Sequence, residues 1–234
     1  MQLFYNSELN ASTETFIFSK DESRHIVKVL RKTTGDLLKI SNGKGWMFEA
    51  EVVVPNHNKC VVTILNSAFT PPKDYTVHLV VAPTKMNDRY EWFIEKATEI
   101  GVTKITPIIC QNSERKFIKT ERFEKILQSA MKQSLHSYLP ILEPAIRFSD
   151  FIKIPQKGSV YIAHCADAEK LYFKDQLKPG ASITILIGPE GDFSPQEIES
   201  ALNHHYIPVS LGSSRLRTET AGIVACHTIQ LCNE

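Results

Sequence analysis

The chain has 234 residues, of which 42% are hydrophobic and 23% charged, and its formal net charge is +1. This composition supports a hydrophobic core, and the balanced charge excludes a uniformly basic nucleic-acid binder, so any such surface must be a local patch. The five cysteines form no CxxC pair and the eight histidines show no metal-ligand spacing, so we expect reduced thiols in the cytoplasm and no metal. No apolar run approaches the ~20 residues of a membrane span, and we expect no membrane association.

The first 70 residues are predicted to be rich in β-structure. Strands are expected at Leu37–Ser41, Trp46–Val54 and residues 60–65, because these segments concentrate β-branched and aromatic side chains. The sequence NGKG at residues 42–45, between the first two strands, is typical of a hairpin turn.

One predicted helix, over about residues 22–31, interrupts these strands. Its apolar stripe comprises Ile26, Val29 and Leu30, and many of the other positions are basic. A basic face suits a phosphate backbone, but a solvated helix face has the same composition, so both interpretations stay open. The residues that would contact RNA are Arg24, Lys28, Arg31 and Lys32.

After the linker TPPKD at residues 70–74, the pattern changes to alternating strands and helices. We predict strands at 76–82, 105–110 and 160–164, and helices at 89–100 and 120–138. This alternation is typical of an α/β domain with an open parallel sheet.

The sequence ITILIGPEG starts with a strand, Ile183–Ile187, whose five residues are all apolar or β-branched, which indicates burial on both faces. The loop GPEG follows, and Ser194 with Pro195 and Glu197 predicts a helix start with a capping box. Such a unit exposes backbone at the carboxyl end of a sheet, where ligands bind in α/β proteins.

A second unit of this kind lies downstream. Residues 207–211 are predicted to form a strand that Gly212 ends, and residues 213–217 form a polar, basic loop. Thr218 is predicted to be the hydroxyl cap of the last helix, and Glu219 suits the positive end of the helix dipole.

The sequence lacks the motifs of several common classes of enzyme. There is no GxxxxGK[ST] phosphate loop and no GxSxG nucleophile elbow, and the one GxG lies in the predicted hairpin. Taken alone, GPEG is also typical of an ordinary tight turn, so this loop does not identify a reaction by itself.

The segments IGPEGDFSPQEI and LGSSRLRTETA, in this order, resemble the RsmE family of 16S rRNA uridine-N3 methyltransferases, which belong to the SPOUT class of S-adenosylmethionine-dependent enzymes. The resemblance covers almost the whole chain. Its other matching segments are HIVKVLR at 25–31 with GD at 35–36, KATEIGV at 96–102, ER at 114–115, Gln133 and Pro140. The chain departs from the family pattern at Asp192, which replaces a second glycine, at Lys116, which replaces a small residue, and at 132–136, where a glutamate and an arginine are lost.

This resemblance implies an N-terminal PUA-like β-barrel over residues 1–70 that helps to hold RNA. It implies a C-terminal SPOUT domain over residues 75–234, with a parallel sheet and a deep trefoil knot, so the fold class is α/β. A homodimer, S-adenosylmethionine as the cofactor and 16S rRNA in the small ribosomal subunit as the substrate are also implied. The expected reaction is methylation of N3 of a uridine.

The adenine of this cofactor needs an apolar slot beside exposed backbone, which the two glycine-bearing loops are suited to supply. The residues expected to bind the cofactor are Leu186, Ile187, Gly188, Pro189, Glu190, Gly191, Leu211, Gly212, Leu216 and Thr218. N3 of uracil must lose a proton, and a cation near the flanking carbonyl oxygens would stabilise the resulting anion. Arg217 is the first candidate for this catalytic role and Arg115 and Arg215 are others, although any single arginine also suits a phosphate or carboxylate partner.

Two further functions stay open. A non-catalytic RNA-binding or ribosome-assembly factor could use the same scaffold, although an intact cofactor pocket argues against it. A SPOUT methyltransferase with another RNA target, such as tRNA, would keep the same pocket motifs, because those motifs do not choose among targets.

Overall fold

The structure of the protein is a computed structural model that describes residues 2–234, so the first residue of the predicted N-terminal domain lies outside it. Two compact units divide the chain. The N-terminal unit comprises the chain up to Pro72 together with Met131–Leu139, and the C-terminal unit comprises Lys73–Ala130 and Pro140–Glu234. Within residues 2–234, no helix is long and apolar enough to cross a membrane, and no cluster of three or more histidine, cysteine or acidic side chains could hold a metal ion.

The N-terminal unit is built on a five-stranded sheet in the order β1-β3-β4-β5-β2. Its strands are β1 (Leu3–Tyr5), β2 (Thr15–Ile17), β3 (Leu37–Ser41), β4 (Trp46–Val54) and β5 (Val61–Phe69). β1 pairs with β3 in parallel and the other pairs are antiparallel. The predicted strands β3 and β4 are confirmed, and Gly43 and Gly45 in the turn between them have φ of 68° and 95°, which glycine tolerates best.

The predicted helix of this unit is only partly correct. An α-helix, α1 (Lys20–Arg24), begins at Ser19, whose side chain accepts from the Glu22 amide, and a π-helical turn follows at His25–Val29. The helical path ends at Arg31, whose φ is 56°. Of the basic side chains predicted to face RNA, Arg24, Lys28 and Arg31 are exposed, whereas Lys32 lies 3.5 Å from the Asp36 carboxylate.

The C-terminal unit contains a parallel sheet whose main path runs β11-β13-β10-β12-β6-β7-β8, with β9 also paired to β7. Its strands are β6 (Val77–Val81), β7 (Lys104–Ile109), β8 (Ile141–Leu142), β9 (Ile146–Arg147), β10 (Ser159–Ala163), β11 (Leu171–Tyr172), β12 (Ile183–Ile187) and β13 (Ile207–Ser210). The central strands β6 and β12 are buried along their whole length, which confirms the interpretation of ITILI as a strand covered on both faces.

Helices connect these strands and cover the sheet. They are α2 (Asn87–Ile100), α3 (Thr120–Gln133), α4 (Phe148–Phe151), α5 (Phe173–Gln176), α6 (Pro195–Asn203) and α7 (Thr218–Cys232). The predicted capping box of α6 is confirmed, because the Ser194 hydroxyl accepts from the Glu197 amide while the Glu197 carboxylate accepts from the Ser194 amide. α2 ends at Gly101, whose φ is 103°, as expected for a glycine helix stop.

The prediction of one long helix over 120–138 is wrong at its C-terminal end. α3 ends at Gln133, and Leu135 has a φ of 58°, which a helix does not accommodate. The backbone beyond it pairs with the hairpin turn of the N-terminal unit, where the Gly45 amide donates to the Ser137 carbonyl at 2.9 Å. These hydrogen bonds replace those that a continued helix would have made.

A buried histidine in β6 gives the fold a dependence on pH. The His78 ring lies 2.7 Å from the Thr106 hydroxyl and packs edge-on against Phe151. Burial, reinforced by the positive charge of Lys104, lowers its pKa from 6.5 to about 4, although Glu143 acts in the opposite direction. Below pH 6.5 the unfolded chain therefore binds a proton at this position, whereas the folded chain binds it only at about pH 4. The free energy of unfolding therefore decreases as the pH is lowered through that window.

We expect His78→Gln, which keeps a polar group but does not titrate, to remove this dependence. Between about pH 7.5 and about pH 5 the native chain should lose about 2 kcal/mol more unfolding free energy than the variant, at about 1.4 kcal/mol per pKa unit. Urea unfolding at both pH values measures the difference. Parallel losses in the two proteins would mean that the pKa of His78 is the same in the folded and the unfolded chain.

Candidate functional site

A cavity of about 790 Å³ opens at the carboxyl edge of the parallel sheet. Three loops line it, and they follow three neighbouring strands, β10, β12 and β13. This volume lies within the roughly 300–1,000 Å³ that is usual for small-molecule sites. Because the strands are parallel, their carboxyl ends meet at one edge and bring together loops that are distant in sequence.

The loop after β12 supplies one wall. Gly188 lies at the end of the strand, and its carbonyl accepts a hydrogen bond from the Thr218 hydroxyl at 3.0 Å. The sequence predicted that Thr218 caps the last helix, but this is wrong: Arg217 is the N-cap residue, and no side chain caps that end. The Thr218 hydroxyl instead ties the start of α7 to the loop after β12.

The loop after β13 supplies the second wall and carries the basic residues. Gly212 has a φ of 148°, and a side chain there would meet no other atom within 4 Å, so the space beside it is open. Arg215 and Arg217 both line the cavity and are exposed. Within residues 2–234 neither forms an ion pair, so both guanidinium groups are available to a ligand.

Most of the residues predicted to bind a cofactor line this cavity. They are Ile187, Gly188, Pro189, Glu190, Leu211, Gly212, Leu216 and Thr218. Leu186 instead lies fully buried in the hydrophobic core. Gly191 also lies outside the lining, and its carbonyl accepts from the Asn112 side chain at 3.0 Å.

Arg115, the second catalytic candidate, does not line the cavity. Its guanidinium donates to the Lys85 carbonyl and to the Asn87 side-chain oxygen, both at 2.8 Å, and its buried Nε has no partner among the described residues. The Lys85 amide donates in turn to Glu190 Oε1 at 2.9 Å. Arg115 therefore holds the loops after β6 and β7 together beside the cavity.

The third wall, the loop after β10, was not predicted from the sequence. Its cavity-lining residues are His164, Cys165, Ala166 and Lys170. Lys170 closes the loop on itself by donating to the carbonyls of His164 at 3.2 Å and Ala166 at 2.7 Å. Only the strand order, with β10 between β12 and β13, brings this loop to the site.

Asp192 joins the first and third walls. Its Oδ2 accepts from the Cys165 amide at 2.8 Å, and its Oδ1 accepts from the Phe193 amide at 2.9 Å. Its φ is 59°, a left-handed conformation that glycine adopts freely and aspartate tolerates better than most residues. The carboxylate thus fixes two cavity loops relative to each other.

His164 is a buried polar side chain that lines the cavity. It is 8% exposed, and neither ring nitrogen has a hydrogen-bond partner among the described residues. Burial and the nearby Lys170 lower its pKa, while Asp192 acts in the opposite direction. A buried imidazole without partners is costly, and because His164 lines the cavity, its ring can form a hydrogen bond to water or to a ligand there.

Known proteins share both units of this chain. Residues 71–230 match the family described as RNA methyltransferase domain, and residues 18–65 match the family described as RNA methyltransferase PUA domain. The ribosomal RNA small subunit methyltransferase E of Buchnera aphidicola subsp. Acyrthosiphon pisum is 31% identical over 228 residues, covering 92% of this chain and 87% of that protein.

Solved structures resemble the whole chain. The crystal structure of a probable rRNA-methyltransferase from Porphyromonas gingivalis has a TM-score of 0.90 and 40% identity, and the match covers 99% of each chain. The ribosomal RNA small subunit methyltransferase E from Neisseria gonorrhoeae, bound to S-adenosyl methionine, has a TM-score of 0.85 and 27% identity, and the match covers 100% of this chain and 98% of that one. The likeness therefore extends over both units.

Proposed function

Because the chain belongs to the ribosomal RNA small subunit methyltransferase E family, we propose that it methylates N3 of a uridine in the 16S rRNA of the small ribosomal subunit, with S-adenosylmethionine as the methyl donor. The observation that carries this proposal is the cavity, in which Arg217 lies beside the exposed backbone of three loops. When bound, the cofactor supplies an electrophilic methyl group on its sulfonium. The residues of this chain bind the cofactor, orient it and stabilise the charges that develop beside it.

The cavity suits this cofactor in size and in its mixture of groups. Ile187, Leu211 and Leu216 offer apolar surface, and the glycine-bearing loops offer backbone donors and acceptors. His164 offers a polar group that lacks a partner within the described residues. Its lowered pKa favours the neutral imidazole, which does not repel a sulfonium as an imidazolium would.

Arg217 is the residue that we assign to the chemistry. Deprotonated uracil carries its negative charge on N3 and on the flanking carbonyl oxygens, and a guanidinium beside those oxygens stabilises it. The backbone of Arg217 is fixed on its C-terminal side, because its carbonyl accepts from the Ala221 amide at 2.8 Å and the neighbouring Thr218 hydroxyl is bonded to Gly188. This fixes the point from which the Arg217 side chain extends into the cavity, within reach of a base bound there.

Several finer features belong to the same proposal. The domain limits are those predicted above, 1–70 and 75–234, and the C-terminal domain carries the trefoil knot of the SPOUT class. We also propose a homodimer, which the resemblance to the SPOUT class supports, and a cytoplasmic location, where ribosomal subunits are found.

Nucleoside mass spectrometry tests the reaction directly. The 16S rRNA of cells that lack this protein should have lost N3-methyluridine, and incubation of their small subunits with the purified protein and S-adenosylmethionine should restore it. Loss of another methylated nucleoside would assign a different target. An unchanged set of nucleosides would favour the non-catalytic assembly factor.

The carboxylate of Asp192 gives a prediction about cofactor affinity. Asp192→Ala removes the acceptor of the Cys165 amide and should lower the affinity for S-adenosylmethionine about tenfold, or about 1.4 kcal/mol, the order of one hydrogen bond to a charged group. Asp192→Asn keeps one acceptor and tolerates the left-handed backbone, so its loss should be smaller. Calorimetry on the full chain measures both. Native affinity in the alanine variant would mean that this carboxylate does not hold the cavity loops.

The basic side chains of α1 and the π-helical turn give a prediction about RNA. Arg24→Glu combined with Lys28→Glu should weaken binding to small subunits. The slope of the logarithm of the binding constant against the logarithm of the salt concentration should become shallower by roughly 0.7–0.9 for each phosphate that is no longer neutralised. Cofactor affinity should not change. Lys59→Glu, which reverses an exposed lysine elsewhere in the N-terminal unit, is the matched control. If the double variant and the control give the same salt dependence, α1 and the turn form an ordinary solvated surface.

A further inference from the structure

The segment that follows β7 exposes an aromatic ring among cations. Phe117 is 88% exposed, and its ring contacts no other aromatic ring within residues 2–234. Lys116 and Lys119 on either side are exposed, and neither forms an ion pair in that part of the chain. Burying such a ring against a partner would stabilise the complex, and the unpaired cations favour a partner with negative charge.

Hydrogen bonds connect this segment to the rim of the cavity. The Lys85 amide donates to the cavity-lining Glu190, and the Lys85 carbonyl accepts from Arg115 at 2.8 Å. Phe117 lies two residues beyond Arg115, at most roughly 7 Å along an extended backbone. The exposed ring is therefore held near the rim, beside the loops after β6 and β7.

We propose that Phe117 is a stacking platform for a base of the substrate RNA next to the target nucleotide, with Lys116 and Lys119 contacting the adjoining phosphates. Single-stranded RNA is recognised by exposed rings that stack on bases and by cations that follow the backbone, which is the combination present here. A protein interface is a poorer fit, because lysine is depleted in such interfaces. The proposal rests on the proposed function only in taking RNA as the substrate.

Replacement of the ring is the direct test. Phe117→Leu keeps an apolar side chain but cannot stack, and it should weaken the binding of the full-length protein to unmethylated small ribosomal subunits roughly tenfold to a hundredfold. Phe117→Trp keeps a ring and should bind as the native protein does. Tyr172→Leu, which removes another exposed ring of the C-terminal unit, is the matched control and should not change binding.

The salt dependence separates stacking from charge. Lys116→Ala with Lys119→Ala should lower the slope of log K against log salt by roughly 0.7 for each phosphate of a single strand that is no longer neutralised, whereas Phe117→Leu should weaken binding without changing the slope. All of these variants should bind S-adenosylmethionine with native affinity, because none of the replaced residues lines the cavity.

Three results would overturn the proposal. The first is equal affinity of Phe117→Leu, Phe117→Trp and the native protein for the subunits. The second is a loss of cofactor affinity in Phe117→Leu. The third is a smaller sedimenting species for Phe117→Leu than for the native protein, which would assign the ring to a contact between two copies of the chain. If the native protein binds subunits in a ring-dependent way but transfers no methyl group, the platform is supported and the proposed reaction fails instead.

Discussion

Arg217→Ala should lose on the order of a hundredfold or more in the rate of methyl transfer, with almost no change in cofactor affinity. The guanidinium lines the cavity and forms no ion pair in residues 2–234, so its charge is available to the uracil anion. That anion exists fully only after the proton has left N3, so the contribution of Arg217 belongs to the transition state and not to ground-state binding. Arg217→Lys should recover only part of the rate, because lysine lacks the planar fork that reaches two acceptors.

Single-turnover methylation of small subunits from a deletion strain, alongside calorimetric titration of the cofactor, measures both quantities. Arg147→Ala is the matched control, since Arg147 is an exposed arginine of the same unit that does not line the cavity. Equal losses of rate and of cofactor affinity in Arg217→Ala would make this residue a structural part of the pocket. Arg115 would then be the better candidate for the chemistry, once its loop is released from Lys85 and Asn87.

Gly212→Val should lower the affinity for S-adenosylmethionine roughly a hundredfold, or about 3 kcal/mol. Gly212 lines the cavity with a φ of 148°, so a β-branched residue there strains the backbone and also projects into the open space beside it. Leu211 and Leu216 lie on the same loop, and a change in its path would move both away from the cofactor. Titration calorimetry on the full-length variant gives the affinity.

Gly180→Val is a close control for this substitution. Gly180 has a φ of 74°, also has nothing within 4 Å of an added side chain, and lies outside the cavity. Both variants therefore carry backbone strain, but only Gly212→Val alters the site. Similar losses of affinity in the two variants would show that general destabilisation, and not the cavity, is responsible.

The sequence predicted those parts of this structure that depend on local chemistry. β12 was predicted with both of its limits, because five consecutive apolar or β-branched residues end at a glycine. The capping box of α6 was predicted because hydroxyl, proline and carboxylate occupy fixed offsets. The last helix was predicted to start at Thr218, and it does, but its cap was wrong because the hydroxyl has a distant partner in Gly188.

The missed features depend on contacts between segments far apart in the chain. Nothing around His164 indicates that its loop faces Arg217, since only the position of β10 between β12 and β13 brings the two together. Likewise, no proline or glycine occurs between Gln133 and Tyr138 to predict the end of α3, which depends on the left-handed Leu135 and on the pairing of Ser137 with Gly45. The sequence identified Asp192 as a departure from the family pattern. That its carboxylate connects two cavity loops follows only from the hydrogen bond that it accepts from the Cys165 amide.

The positions of the cavity segments along the chain determine when the site can form during synthesis. One wall of the cavity consists of residues 209–218, and α7, which packs against α2 and β6, ends only at Cys232. On a translating ribosome the first strands of the sheet emerge long before these segments, because chains emerge from the N-terminus. A nascent or prematurely terminated chain that has not reached Thr218 therefore lacks one wall of the cavity, and the capacity to capture the methyl donor arises only after that segment has emerged.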